Sequence, residues 1–305
     1  MALVSVARGQ AEVQAGVIVS IKPADLLQVV GFSLCALASV LSRSGAWEDA
    51  AGIFLFLAAG SVLLRAAAHH WRSNFLSLCA DFFPTLAIIL SYGHLDPVCD
   101  FFHLPLADSR LMHIDQQLFG MQPSVVLAAH LTPALSDVLM ACYCSYYLWP
   151  LVLGVLLYVR RGEAAFDRWS FAVLMIVLLN YACYMAVPAI GPRFTLTTDF
   201  AGPVQGVLAA PMFAAFLHSP YHRDCFPSGH TALTLMVLWH AFRVLRPFFW
   251  VILPTSLGLI VATVALRFHY GVDLIAAVPL AAIAYALSNR LFDAAPQGIA
   301  LLSQD

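Results

Sequence analysis

Residues 248–266, FFWVILPTSLGLIVATVAL, form an unbroken apolar run without a single charged side chain. At 1.5 Å per residue, a helix of this length is about as long as the hydrocarbon core of a bilayer is thick. A helix can cross lipid because it satisfies its backbone polar groups internally. The run therefore predicts a membrane-spanning helix.

The composition of the whole chain agrees with a membrane protein. Of the 305 residues, 61% are hydrophobic and only 10% are charged, whereas a soluble domain carries roughly 25% charged residues. The net charge of −2 argues against a nucleic acid partner, which would favour a basic surface. The seven cysteines include no CxxC pair, so we expect neither a disulfide framework nor a cysteine metal site.

Seven further apolar segments accompany the first. We predict an all-α integral membrane fold with eight transmembrane helices, at approximately 24–42, 47–68, 74–93, 132–158, 169–188, 228–245, 248–266 and 271–292. The predicted organisation is an N-terminal segment, 1–73, with two helices, a six-helix catalytic core, 74–293, and a short cytoplasmic tail, 294–305.

The distribution of positive charge predicts the orientation, because cytoplasmic loops are enriched in Lys and Arg. Eight spans place ten of the fifteen basic residues on one side, namely Arg8, Lys22, Arg65, Arg72, Arg160, Arg161, Arg168, Arg243, Arg246 and Arg290. Both termini are then cytoplasmic, and the long loops 94–131 and 189–227 face outside. The near absence of Lys indicates a GC-rich bacterial genome, so we expect a bacterial inner membrane. Within the first loop, residues 113–131 predict either an amphipathic surface helix or a plain connector.

Three polar stretches fall on the outer face in this topology: VPAIGPRF at 187–194, CFPSGHTAL at 225–233 and LRFHYGVDL at 266–274. Their candidate site residues are Arg193, Ser228, Gly229, His230, Arg267, His269 and Asp273. Because the span assignment did not use these residues, their convergence on one face is an independent indication of a site.

The PSGH stretch has the chemistry of an anion-binding helix start. Ser228 is a natural N-cap, and Pro227 cannot extend the helix backwards. Gly229 permits close approach of the backbone, and the free N–H groups of a helix N-terminus suit a phosphate. His230 would lie beside the bound anion. Taken alone, the same four residues could equally be a polar helix start.

The HYGVD stretch places a histidine and a carboxylate four residues apart. On a helix, His269 and Asp273 share one face, so the carboxylate can accept from one ring nitrogen and leave the other free to attack. Arg193 and Arg267 offer forked donors for phosphate oxygens, although an arginine at a helix end often only reaches for lipid headgroups.

For the other polar residues and the cysteines, we expect structural roles or contacts outside the catalytic site. We expect Asp81, Asp137, Asn180 and Tyr184 to be satisfied packing residues, and the cysteines to be small buried side chains. The spacing of His218 and His222 could suit a metal, but surface or substrate contacts are the preferred interpretation. No carboxylate cluster for Mg²⁺ is evident, so we expect no metal and no cofactor.

These stretches resemble the motifs of the type 2 phosphatidic acid phosphatase superfamily, whose second motif is PSGH and whose third ends in H-x3-D. Residues 227–230 match the second motif, and His269 with Asp273 match the end of the third. The resemblance implies a six-helix catalytic core with His269 as nucleophile, Asp273 as its orienting partner and His230 as the acid for the leaving group.

The departures from the superfamily pattern indicate a branch. The lysine of the first motif is missing around Arg193, and Thr263 stands where the third motif has an arginine. The stretches 262–274, 114–123 and 135–150 resemble the inositol phosphorylceramide synthase and sphingomyelin synthase branch and its bacterial relatives. That likeness implies transfer of phospho-headgroups between lipids.

Several functions stay open from the sequence. A phosphatase would hydrolyse a lipid phosphate or a polyprenyl (di)phosphate with water, and a phosphotransferase would use a lipid hydroxyl such as that of ceramide or diacylglycerol. The third motif tilts the prediction slightly towards transfer. The expected partners are thus a lipid phosphoester, a lipid alcohol acceptor and the bilayer. A transporter or channel would instead place polar residues along several spans.

Overall fold

The computed structural model describes residues 18–218, 223–295 and 299–302. In these ranges the regular secondary structure is helical apart from two short strands, β1 Ile18–Ile21 and β2 Ile299–Leu302. The helices are α1 Pro23–Ser42, α2 Trp47–His70, α3 Asn74–Tyr92, α4 Asp96–Cys99, α5 Asp108–Phe119, α6 Pro123–Ala129, α7 Pro133–Cys144, α8 Leu148–Arg161, α9 Glu163–Ala186, α10 Pro192–Thr195, α11 Ala209–Leu217, α12 Gly229–Val244, α13 Arg246–Ala265 and α14 Gly271–Ala294.

Six of the described helices are long and apolar enough to span a membrane, namely α1, α2, α3, α9, α13 and α14. Every predicted span coincides with a helix, but two differ from expectation. The predicted span 132–158 is two helices, α7 and α8, bent by 42°. Helix α12 has 16 residues, or about 24 Å, which is shorter than the roughly 30 Å of a bilayer core. The count of eight therefore stays a prediction.

Proline explains the bend between α7 and α8. Pro150 lies in the first turn of α8, where it cannot donate a hydrogen bond to the carbonyl of Tyr146 and its ring would clash with that carbonyl. Continuous helix across this point is therefore disfavoured.

The outer surfaces of the long helices are strongly apolar. Phe75 on α3 is 72% exposed and Val251 on α13 is 68% exposed, and exposed leucines and valines recur along α1 and α2. A water-soluble protein rarely exposes contiguous apolar surface on this scale. The surface therefore suits a lipid environment, in agreement with the membrane class.

A buried ion-pair network joins α1, α2, α3 and α9 at one end of the bundle. Lys22 Nζ lies 2.6 Å from Asp81 Oδ1 and 2.9 Å from Asp167 Oδ1. Arg65 pairs with Asp25 and, at 2.9 Å, with Asp81. Asp81, the carboxylate inside the third predicted span, is thus paired with two cations. This agrees with the prediction that it is a packing residue whose charge is satisfied.

The two strands are an addition to the predicted all-α class. Ile18–Ile21 pairs antiparallel with Ile299–Leu302, so that residue 21 faces residue 299. This pairing was not predicted from the sequence, because the second strand falls in the segment assigned to a short tail. It brings the chain before α1 and the chain after α14 to the same end of the bundle.

Candidate active site

The site forms at the opposite end of the bundle, where α12 and α14 begin and α9 ends. Ser228 caps α12, since its Oγ accepts from the backbone N of Thr231 at 3.2 Å. The backbone N of Ser228 donates to the carbonyl oxygen of Asp273 at 3.2 Å. The PSGH turn is thereby tied directly to the first turn of α14.

Gly229 is required by the close packing of α12 on α9. A Cβ atom at this position would collide with Oδ1 of Asn180 and would lie 2.9 Å from the hydroxyl of Tyr184. Asn180 also donates to the carbonyl of Pro227 at 3.3 Å. Asn180 and Tyr184, expected to be packing residues, therefore shape the start of α12 as well.

His269 and Asp273 form a buried pair. Nδ1 of His269 lies 3.1 Å from Oδ2 of Asp273. The same oxygen accepts from the backbone N of Tyr270 at 3.0 Å and from the thiol of Cys225 at 3.0 Å. Because Nδ1 is engaged, Nε2 is the ring nitrogen left for chemistry.

His230 lies across from this pair, between aromatic rings. Its ring centroid is 6.0 Å from that of His269. It stacks on Tyr143 at 4.5 Å and packs against Tyr146 at 4.2 Å. Both tyrosines lie close to the break between α7 and α8, so the bend supplies the surface that holds His230 in place.

Arg193 reaches the histidines from α10. The preceding Gly191 has φ +88°, and a Cβ there would lie 2.7 Å from the carbonyl oxygen of Phe268. The guanidinium Nη2 of Arg193 lies 3.4 Å from Asp224 Oδ1, and Cζ lies 5.5 Å from the Phe268 ring centroid. Asp224 also accepts from the hydroxyl of Tyr92.

One cavity connects these groups to the apolar interior. It has a volume of about 80 Å³, and its polar wall includes Arg193, His230 and His269. Its apolar wall includes Ile88 of α3 and Ile176 of α9. A ligand that fills the cavity must therefore combine a polar reacting group with an apolar part.

Two predicted phosphate ligands do not line this cavity. Ser228 is fully buried and acts as the helix cap. Arg267 turns away: its Nη2 donates to the carbonyl of Gly202 at 2.7 Å, and Cζ lies 4.1 Å from the Phe200 ring centroid. Arg193 and Gly229 are the predicted phosphate-binding residues that the fold brings to the histidines.

Two carboxylates that were not predicted from the sequence hold the motif loops in place. Asp115 accepts from the backbone N of Gly271 at 2.8 Å and of Val272 at 2.7 Å, which caps α14. Asp108 accepts from Gly191 N and from the Tyr270 hydroxyl, both at 2.8 Å. The available signal was the mixed polar and apolar segment 113–131, which contains Asp115 but not Asp108, and the partners of both carboxylates were not visible in the sequence.

The loop between α9 and α12 is fixed in a similar way. Asp137 accepts from the backbone N atoms of Leu208 and Ala209, both at 2.8 Å, at the start of α11. It is therefore a capping residue, consistent with a structural role.

Metal-ligating side chains meet at two places in the described residues. Cys225, His269 and Asp273 offer ligand atoms within 4.8 Å of one another. The other group, Asp81, Glu163 and Asp167, already surrounds the ammonium of Lys22. Of the alternative pair from the sequence, His218 is exposed at the end of α11 and bonds Ala214 O at 2.7 Å, and His222 lies outside the described residues.

Comparisons with known proteins agree with the motif resemblance. The family model described as the PAP2 superfamily matches residues 109–287, more than half of the chain, which includes all seven candidate site residues. A PA-phosphatase related-family protein of Dictyostelium discoideum is 23% identical, over 48% of this chain and 30% of that protein. The match thus covers less than a third of that relative's length. No solved structure gives a significant match.

Proposed function

Since this chain belongs to the PAP2 superfamily, we propose that it is a membrane enzyme that cleaves a lipid phosphoester through a covalent histidine intermediate. The observation that carries the proposal is the shared cavity of His269, His230 and Arg193, which also has an apolar wall. Membership of the superfamily supports a phosphatase-type activity. The identities of the nucleophile, the substrate and the acceptor are proposed here from the site.

In the first step, His269 attacks phosphorus. The Nε2 lone pair forms the N–P bond while the bond from phosphorus to the leaving oxygen breaks, and His230 gives its proton to that oxygen. Asp273 holds the imidazole through Nδ1 and stabilises its positive charge. The distance of 6.0 Å between the two ring centroids leaves room for a phosphorus centre between nucleophile and acid.

Charge on the phosphoryl oxygens is met by Arg193 and by the N-terminus of α12. A guanidinium forms strong charge-assisted bonds to phosphate oxygens, and the first N–H groups of a helix point at an anion placed before it. The Gly229 backbone lines the cavity, so the helix end and Arg193 face the same space. Their donors are already in position before the charge develops.

In the second step, a hydroxyl resolves the intermediate. Its oxygen bonds to phosphorus, the N–P bond breaks, and His230 takes the hydroxyl proton. Water would give a phosphatase, and a lipid alcohol would give a phosphotransferase. The third-motif likeness slightly favours transfer to a lipid hydroxyl, and hydrolysis of a lipid phosphate or polyprenyl (di)phosphate is the alternative.

A transporter is the competing function of another class. Its polar residues would line a path across the bundle. Here the polar site and the Lys22 network lie at opposite ends, and buried apolar side chains such as Trp169, Ile176, Val237 and Ala241 pack in one cluster of the described core. This arrangement favours an enzyme.

We further propose a bacterial inner membrane location, cytoplasmic termini and an active site outside. The β1–β2 pairing brings the segment before α1 and the segment after α14 to the end opposite the site, which supports the proposal that these segments and the site lie on opposite sides of the membrane. The catalytic core is assigned to 74–293, with the two helices of 1–73 added before it. The family match, residues 109–287, falls within this core.

A lipid panel tests the proposal. Purified enzyme in lipid nanodiscs receives lipid phosphomonoesters and phosphodiesters, with and without ceramide or diacylglycerol. Release of free phosphate indicates hydrolysis, and a new phospholipid that depends on the acceptor indicates transfer. Absence of both from every lipid, in protein that remains folded, would contradict the proposed function.

A further inference from the structure

A second cavity lies under the long loop between α9 and α12. Its volume is about 470 Å³. A volume of this size is within the usual range of small-molecule sites. Its wall is built mainly from the loop and α11, with Arg193, Arg267, Phe200, Phe213 and Leu217 among its lining residues.

The two cavities are neighbours that share a wall. Arg193 lines both of them. Phe268 lines the histidine cavity and Phe213 lines the second, and their ring centroids are 5.6 Å apart. A group bound at the histidines therefore lies next to Arg193, which also borders the second cavity.

Two arginines line the second cavity, Arg193 and Arg267, whereas Asp224, the ion-pair partner of Arg193, is not among the lining residues. The Nε atoms of Arg193 and Arg267 are both buried and have no hydrogen-bond partner among the described residues. Arg193 itself is only 10% exposed, and no carboxylate occurs among the residues that line this cavity. A buried donor without a partner is costly, so the cavity suits a ligand that brings an anionic acceptor.

We propose that the second cavity binds an anionic headgroup that stays attached to phosphorus during the reaction. This inference rests on the proposed function. Attack by His269 and departure towards His230 define an axis through phosphorus, so the remaining oxygens point sideways, where Arg193 lies. A substituent on one of these oxygens extends past Arg193 into the second cavity, where Arg267 meets its negative charge. The substrate class is a lipid phosphodiester with a phosphate or carboxylate on its headgroup.

The test compares headgroups in the wild type and in Arg267→Gln. Release of diacylglycerol is measured from three lipids: one with a glycerol headgroup, one with a glycerol phosphate headgroup and one with a glyceric acid headgroup, which carries a carboxylate and no amine. We expect the wild type to prefer the anionic glycerol phosphate lipid over the glycerol lipid in kcat/KM. Arg267→Gln should lower that preference about tenfold or more, the effect of losing a hydrogen bond to a charged group.

The glyceric acid lipid separates the two sources of the anion. If the enzyme prefers this carboxylate lipid as it prefers the glycerol phosphate lipid, the second cavity recognises negative charge. If it prefers only the glycerol phosphate lipid, the second cavity recognises a second phosphate. Arg110→Gln is the matched control, because Arg110 is an exposed arginine of α5 outside both cavities. It should leave the preference unchanged. An equal preference for all three headgroups, or an unchanged preference in Arg267→Gln, would overturn the inference.

A binding measurement keeps this inference separate from the proposed chemistry. In the His269→Ala protein, which should not turn over, binding of the glycerol phosphate lipid is compared with that of the glycerol lipid. Tighter binding of the anionic lipid that is lost on adding Arg267→Gln supports the second site even if no substrate is cleaved. Equal binding of both lipids counts against the site, whatever the activity.

Discussion

Nδ1 of His269 lies 3.1 Å from Oδ2 of Asp273, one helical turn further along the chain. The backbone N of Tyr270 and the thiol of Cys225 contact the same carboxylate oxygen at 3.0 Å each. Asp273 is therefore held from three sides, and its oxygen fixes the direction of the imidazole. The orientation of the nucleophile is set by the first turn of α14.

Asp273→Asn should reduce kcat by about 10²–10⁴-fold, because an amide at this position would not stabilise the charged imidazole and can favour the wrong tautomer. His269→Ala should abolish turnover altogether. The measurements are kcat in nanodiscs and trapping of ³²P on the denatured protein. Near-normal turnover by folded His269→Ala would remove the histidine nucleophile from the mechanism.

The sequence predicted this pair because the spacing of four residues alone places both side chains on one helix face. It did not predict that Arg267 would lie in another cavity, although this residue is only two positions from His269. Arg267 has φ +70°, and this left-handed turn, which sends its side chain away, depends on tertiary packing. The capping role of Asp115 was hidden for the same reason, since its partner is 156 residues away.

His230→Ala should slow cleavage of a lipid alkyl ester by about 10²–10⁴-fold, the usual contribution of a general acid. With a nitrophenyl phosphate, whose leaving group needs no proton, the first step should be nearly unaffected. The comparison is made by single-turnover formation of the phosphoenzyme. Equal losses on both substrates would mean that His230 only packs against Tyr143 and Tyr146.

The acid limb of the pH profile is the range over which kcat/KM falls as the pH drops. It should lie below pH 6.5 for a phosphodiester substrate, whose own charge is constant in this range. Burial, followed by the nearby charge of Arg193, lowers the pKa of His269 from its usual value of about 6.5. Since the neutral imidazole is the nucleophile, activity persists to lower pH and falls only as pH drops through this lowered pKa.

Arg193→Gln tests the electrostatic part of that argument. Removing the cation should raise the pKa of His269, so the acid limb should move to higher pH while the overall rate also falls. The quantity compared between the two proteins is the pH at which kcat/KM falls. The absolute size of kcat/KM is not compared. Arg110→Gln is the matched control and should leave the limb in place. A limb that stays fixed in Arg193→Gln would contradict the proposed proximity of charge and nucleophile.

Chelators should leave activity intact, because phosphate charge is met by Arg193 and the helix end. Added Zn²⁺ should inhibit, since Cys225, His269 and Asp273 present ligand atoms within 4.8 Å, and a thiolate, an imidazole and a carboxylate suit zinc. Cys225→Ser should require at least about tenfold more Zn²⁺ for the same inhibition, whereas Cys183→Ser should not. Loss of activity on chelation, restored by one divalent metal, would contradict the metal-free mechanism.

The orientation is tested by labelling single cysteines, one at each end of the bundle, with an impermeant thiol reagent. Ala164→Cys lies at the exposed start of α9, and Gln205→Cys is exposed in the loop over the second cavity. The neighbouring Gly206 is unsuitable, because its φ is +130° and a side chain there would collide with Asp137. In a cysteine-free background, position 205 should react in intact cells and position 164 only after lysis. The reverse pattern would place the active site in the cytoplasm, and labelling of both would show that α9 does not cross the membrane.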